Sequence, residues 1–238
     1  MSNGKFSAFI LGLFIFCGLA TLGWLAGDAA LKVKSMERTV RVKGLSEHEF
    51  PADIVIWPIR FIAADNNLQN LYLTIEANTA KIERFLKKHG IKESDISTNP
   101  PAVTDKKAQS YGDGQRIAFR YSATQTITVY SHDIKLVRLA MRDLGELGKQ
   151  GIAFSSEDYE ARPEYIFTRL NEVKPRMIEE ATRKARDVAL KFAADSQSKL
   201  GKIKRASQGQ FSISSRDQST PYIKRVRVVS TVEYYLSD

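Results

Sequence analysis

The sequence predicts an α+β domain, an antiparallel or mixed sheet packed by about three helices, preceded by one N-terminal transmembrane helix. Three observations predict it. An uncharged apolar run opens the chain, three later segments carry apolar residues at helical spacing, and the segments between them alternate apolar and polar residues at period two. The balance of 43% hydrophobic and 26% charged residues excludes a disordered or collagen-like chain, and 238 residues suffice to bury a core without cross-links. A single cysteine, Cys17, excludes an intramolecular disulfide framework or a zinc finger. His48, His89 and His132 are the only histidines, little material for a metal site.

Phe6 to Gly27 contains no charged residue. As a helix these 22 residues span roughly 33 Å, against a hydrocarbon core of about 30 Å. Phe6, Phe9, Leu13 and Phe16 supply the transfer energy, and Trp24 falls where an interfacial aromatic would sit. Length favours a retained signal-anchor over residues 1–27; a signal peptide cleaved near Gly18-Leu19-Ala20 is the competing reading. Residues 28–38 read as a polar linker and 39–238 as the folded domain. Lys5 precedes the run, whereas Lys32, Lys34, Arg38 and Arg41 follow it, and a literal positive-inside count puts the domain in the cytoplasm. Against that count, the chain from residue 28 onward lacks cysteine, which suits an oxidising compartment.

Within the domain, Thr39–Lys43 alternates as a first strand stopped by Gly44. A second strand over 52–64 places Val55, Trp57, Ile59, Phe61 and Ala63 on one face, with Pro58 marking an edge or a bulge. A helix follows with Leu68, Leu71, Ile75, Ile82 and Phe85 inward, and His89-Gly90 stops it. A short strand and a hairpin loop at Gly112-Asp113-Gly114 lead to the strand 116–130, with Ile117, Phe119, Tyr121, Ala123, Ile127 and Val129 on one face. The spacing predicts a helix over 133–145 with Leu136, Leu139, Ala140 and Leu144 inward, then strand–turn–strand over 151–168. A long helix over 172–200 starts at the cap Asn171 with Pro175 near its first turn and ends at Gly201. Its stripe is Ile178, Ala181, Ala185, Val188 and Phe192, and the ladder Ala181, Ala185, Ala189 and Ala193 lets the backbone approach a sheet closely. Strands over 203–213 and 226–236 close the chain.

Chemistry-bearing patterns are sparse. Ser131-His132-Asp133 has the residue types of a triad, but chain neighbours do not make that geometry, and a loop or helix-cap role is the simpler account. His48 has no histidine partner at helical spacing. Gly112-x-Gly114 lacks the third glycine of a dinucleotide loop. The sequence therefore assigns no catalytic, metal or cofactor-binding residue, and the expectation is a non-enzyme without cofactor. The formal charge is +9, and eleven Lys/Arg against five acids lie between Arg169 and Arg205. Lys202, Lys204 and Arg205, with Lys224, Arg225 and Arg227, form a candidate anion-binding patch. Its bland counterpart is a solvated helix face laced by Glu179–Arg183, Glu180–Lys184 and Asp187–Lys191 pairs. No nucleic-acid module is present, so nucleic acid is not the expected ligand.

The ordered segments TVRVKG, FPADIVIW, KKHGIKESDIST, YSATQTITVYSHD and EEATRKARDVALKFAADSQSKLGKI resemble the SIMPL-domain family of bacterial periplasmic and envelope proteins. The resemblance covers about residues 39–236. It implies an exported α+β domain, homo-oligomeric rings in some relatives, a loose link to oxidative-stress tolerance and no agreed catalytic residue. The resulting expectation is a non-enzymatic protein in the inner membrane, single-pass, with its domain in the periplasm. There it self-associates or binds an envelope protein partner. The alternative is a cytoplasm-facing basic module that binds anionic lipid or nucleic acid.

Overall fold

A computed structural model describes the backbone of residues 3–35, 38–109, 118–155 and 162–237, and their side chains except at 3–8, 35 and 109. The loop expected at Gly112-Asp113-Gly114, Ile117, and residues 156–161 of the expected strand–turn–strand segment lie outside the described residues. The architecture is α+β with antiparallel sheets and an N-terminal apolar helix, as the sequence predicts.

Helix α1 (Asn3–Ser35) runs on past Gly27 into the segment expected as a linker. Ala29, Ala30 and Leu31 are strong helix formers, and an i,i+4 pair between Lys32 and Asp28 at 2.8 Å supports the extension. The chain forms two compact units.

One unit comprises residues 48–173 and 213–226. Its sheet has the order β3-β5-β2-β6, from β3 (Ile96–Thr98), β5 (Tyr121–Ser131), β2 (Ile54–Asp65) and β6 (Ala153–Phe154). Strand β4 (Ala102–Asp105) also pairs with β5, and β7 (Glu164–Ile166) with β2. Val55, Trp57, Ile59, Phe61 and Ala63 are buried on one face, as their alternation predicts. Pro58 does not mark an edge or a bulge: β2 is central, and Pro58 stands opposite Thr128 in an unbroken register with β5. On the other flank β7 pairs with Ile54–Ile56 and β6 with Phe61 and Ile62, leaving a gap between. The Arg60 carbonyl accepts from the Ser155 N–H on that flank. Pro58, two residues earlier, points the same way, into the gap where no donor is needed.

Helix α2 (Leu68–Lys88) packs on β2 and β5. Asn67 caps it, its side chain accepting from the N–H groups of Gln69 and Asn70 at 2.8 and 3.2 Å. Gly90 takes a φ of +83° just past the end, the left-handed stop the sequence implies. Leu71, Ile75, Ile82 and Phe85 are buried; Leu68, on the first turn, stays exposed. The single-turn helix α3 (Lys106–Gln109) follows β4. Helix α4 (Ile134–Asp143) and helix α5 (Gly145–Lys149) bury Val137, Ala140 and Leu147. Leu139 is 50% exposed rather than inward, because it lies about 200° around the helix from Val137. Phe119 is likewise exposed, since regular pairing of β5 begins only at Tyr121. Gln125 is a buried polar residue on the β5 inner face; its amide accepts from Thr79 Oγ1 at 2.9 Å and donates to the Asn99 carbonyl at 2.8 Å.

The other unit comprises residues 1–47, 174–212 and 227–238. Strands β1 (Thr39–Pro51), β10 (Ile223–Ser237) and β8 (Lys199–Gln208) lie in that order, and β9 (Ser212–Ser215) pairs with β10. Helix α6 (Leu170–Asp195) covers the face bearing Val42, Val232 and Tyr234. Gly44 does not end the first strand. It lies within β1 because the α6 backbone comes too close for any side chain: a Cβ there would stand 1.8 Å from the Ala181 carbonyl oxygen and 2.5 Å from the Ala185 nitrogen. The alanine ladder is thus the contact line. Met177, Ala181, Ala185, Ala189 and Ala193 are buried at strict spacing of four.

Val188 and Phe192 do not join that stripe; each precedes a buried alanine by one residue, about 100° around the helix, and Phe192 is 55% exposed. Asn171 is a helical residue and not the cap, because α6 starts at Leu170, and Pro175 lies inside the helix. Nor does Gly201 end it. Gln197, at a φ of +54°, turns the chain, and β8 runs through Gly201.

Candidate functional site

Along β8 the pairing with β10 slips twice. Val232, Tyr234 and Leu236 face Ala206, Ile203 and Leu200, so β10 advances two residues where β8 advances three. Directly opposed residues share a face. The bulges therefore place Leu200, Ile203 and Ala206 on the α6 side although they are three apart, and Lys202 falls between two of them. On α6, Glu179, Thr182, Arg183 and Arg186 follow one flank at spacings of three and four. The two elements enclose a groove of about 620 Å³ lined by these four residues with Gly201, Lys202, Ile203 and Tyr234.

Charge in this groove is only partly balanced, by Glu179. Among the described residues, none of Arg183, Arg186 and Lys202 has a carboxylate within 4 Å; the Glu179–Arg183 and Asp187–Lys191 pairs expected from their spacing do not form. The opposite flank of α6 neutralises itself: Lys184 meets Glu180 at 2.7 Å, and Ser46 Oγ donates to Glu180 Oε2 at 2.8 Å. Tyr234 is buried, and that burial pushes its phenol pKa up despite the opposing influence of Arg186. It enters the groove as a neutral hydroxyl.

The six residues of the expected anion patch are distributed. Lys202 lines the groove. Lys204 meets Glu233 at 3.4 Å and lies 5.7 Å from the Tyr235 ring centre. Glu233, held below its ordinary range chiefly by the Thr39 hydroxyl and then by Lys204, also stands opposite Arg205, on the face turned away from α6. Arg227 approaches Glu47 at 3.9 Å. Lys224 and Arg225 belong to the other unit. There Lys224 Nζ donates to Ser215 Oγ at 3.0 Å, and burial lowers its pKa. Arg225 donates to the Arg216 carbonyl at 3.3 Å. Lys224 also lines a cavity of about 1370 Å³ with Arg162, Glu164, Tyr165 and Asp217.

Asp217 carries the largest acidic shift there. Its carboxylate accepts from the Thr220 hydroxyl, from Arg216 Nε at 2.9 Å, and from the N–H groups of Thr220 and Ser219 at 2.7 and 2.8 Å. Thr220 first, then Arg216, hold its pKa far below the ordinary carboxylate range. A group depressed in the folded state contributes stability above its unfolded pKa and loses it as pH falls through the folded value. Asp217 is accordingly expected to stay ionised at about pH 3, where an ordinary aspartate is largely protonated; carboxyl-carbon NMR titration against Asp217→Asn checks it.

Ser131, His132 and Asp133 do not converge. Asp133 caps α4, accepting from Leu136 N–H at 3.0 Å; Ser131 Oγ accepts from Asp133 N–H at 3.2 Å; His132 Nδ1 lies 3.2 Å from the Asp53 carbonyl. His89 instead closes the end of α2, with Nδ1 2.9 Å from the Phe85 carbonyl and Nε2 3.1 Å from Asp143. No group of three metal-ligating side chains gathers among the described residues.

Phe9, Leu13, Phe16 and Trp24 all project outward from α1, Trp24 with 75% of its surface exposed. Phe6 is helical in backbone, and its side chain lies outside the described residues. The span Phe9–Lys34 is long and apolar enough to cross a membrane, and none of its most apolar window is buried in the protein.

Compared with known families, residues 40–234 match the SIMPL model, described as "Protein of unknown function (DUF541)". Among curated proteins none matches the chain.

Proposed function

The chain belongs to the SIMPL family, and from that premise we propose that it is a non-enzymatic envelope protein, held in the inner membrane by a retained α1, with its folded units in the periplasm, where it self-associates or binds an envelope partner. One observation carries the reading: among the described residues α1 has apolar side chains all round, and none of its most apolar window is buried against protein, which suits a lipid surrounding. The cysteine-free remainder suits the oxidising side. Val188 and Phe192, four residues apart on the outer side of α6, supply apolar surface for self-association. The stress-tolerance link implied by the family resemblance belongs to the same reading.

The test is a topology reporter fused after Asp238, with N-terminal sequencing of the mature chain and light scattering of the full chain in non-ionic detergent. An uncleaved chain, a periplasmic C-terminus and a mass above the monomer are expected. A cytoplasmic C-terminus overturns the envelope role, and cleavage overturns the tether. A strict monomer removes self-association and leaves the envelope partner.

A further inference from the structure

We propose that the α6/β8 groove is a binding site for a phosphate monoester. Three cations line it and a single carboxylate, Glu179, opposes them, leaving two positive charges unmatched. A phosphate monoester at neutral pH carries about −1.5 to −2 charge. Arg183 and Arg186 are three residues apart on one helix flank, and both line the α6 side of the groove. Lys202 enters from the bulged strand opposite. Two planar forks and a point charge are a donor set that phosphate oxygens satisfy and that a monovalent carboxylate leaves largely idle.

The neutral Tyr234 hydroxyl adds a donor: it lines the groove and has no protein hydrogen-bond partner among the described residues. About 620 Å³ exceeds what a bare phosphate fills, and Ile203 and Gly201 give the remainder an apolar wall suited to a small organic body. Leaving three neighbouring cations unpaired works against folding through mutual repulsion, the opposite of the neutralised flank at Glu180 and Lys184.

Such a monoester can be free in solution or be the headgroup of a lipid, and the probes separate the two. The full chain, in nanodiscs of phosphatidylcholine alone, is titrated calorimetrically with glycerol 3-phosphate and, separately, with short-chain phosphatidic acid. Binding of both assigns the headgroup as sufficient; binding of only the first assigns a free ligand; binding of only the second assigns a lipid. In each supporting case Arg186→Gln and Lys202→Gln should each weaken binding about tenfold or more, the loss of one charge-assisted contact. Arg227→Gln, on a residue paired with Glu47 and outside the groove lining, should leave affinity within about twofold. The melting temperature of Arg186→Gln and Lys202→Gln should hold or rise as repulsion is relieved. No heat with either probe, unchanged affinity in both groove variants, or equal weakening by Arg227→Gln overturns the site.

Discussion

Gly44→Val is expected to lower stability by about 3 kcal/mol or more, among the largest effects of any single substitution in this chain. The reason is which atoms stand in the way. A Cβ at position 44 would meet the carbonyl oxygen of Ala181 and the nitrogen of Ala185 far inside van der Waals contact. A flexible side chain could rotate aside; a helix backbone cannot. The only relief is to lift α6 from β1, which uncovers Val42, Ala185, Ala189, Val232 and Tyr234. Gly148→Ala is the matched control, since nothing stands within 4 Å of its added Cβ, and alanine suits a helix better than glycine. Thermal unfolding of the full chain in detergent, followed by circular dichroism, reads both. A Gly44→Val chain that melts with the wild type would refute the close approach of α6.

The second large effect concerns α1. Arginine at the centre of a membrane helix costs about 2.5–3.5 kcal/mol on the insertion scale, so Leu13→Arg with Phe16→Arg should cost roughly 5–7 kcal/mol. Both side chains face outward and have no protein partner to relieve the charge. Alkaline extraction should leave the wild type in the membrane pellet and release the double variant. Retention of the variant would mean that attachment runs through some other surface. Trp24→Arg, toward the end of the apolar run, is expected to have a smaller effect, because the long side chain can reach the interface.

Elements set by short-range patterns are legible in the amino-acid sequence. The buried face of β2 follows from period-two alternation, and the end of α2 follows from a glycine free to take positive φ. The cap at Asp133 is within reach for the same reason, since a carboxylate three residues ahead of an N–H is a local device. The α6 stripe is half legible. Spacing identifies the alanines, but hydrophobicity alone groups Val188 and Phe192 with them, when the contact line admits only residues small enough for backbone to meet backbone.

The groove is out of reach for a different reason. Its four α6 residues look like a solvated helix face, and Lys202 looks like one member of a basic run. Nothing in a one-dimensional pattern marks which of Glu179 and Glu180 finds a partner. A two-step slip in the β8–β10 register also hides Leu200, Ile203 and Ala206 from any period-two reading. Of the expected patch, the β8–β10 register puts Arg205 opposite Glu233 on the face turned away from α6 while Lys202 lines the groove, and Lys224 and Arg225 belong to the other unit.

By itself, the sequence determined an apolar helix able to span a bilayer, an α+β class and the identity of the residues that could form its cores, because transfer energy, alternation and capping act within a few residues. Only the tertiary structure decided that Gly44 is a contact, that Pro58 sits in a central strand beside a gap, and that Arg183, Arg186 and Lys202 share a groove. Those outcomes depend on which backbones meet and in what register, and such distances are set by residues far apart along the chain.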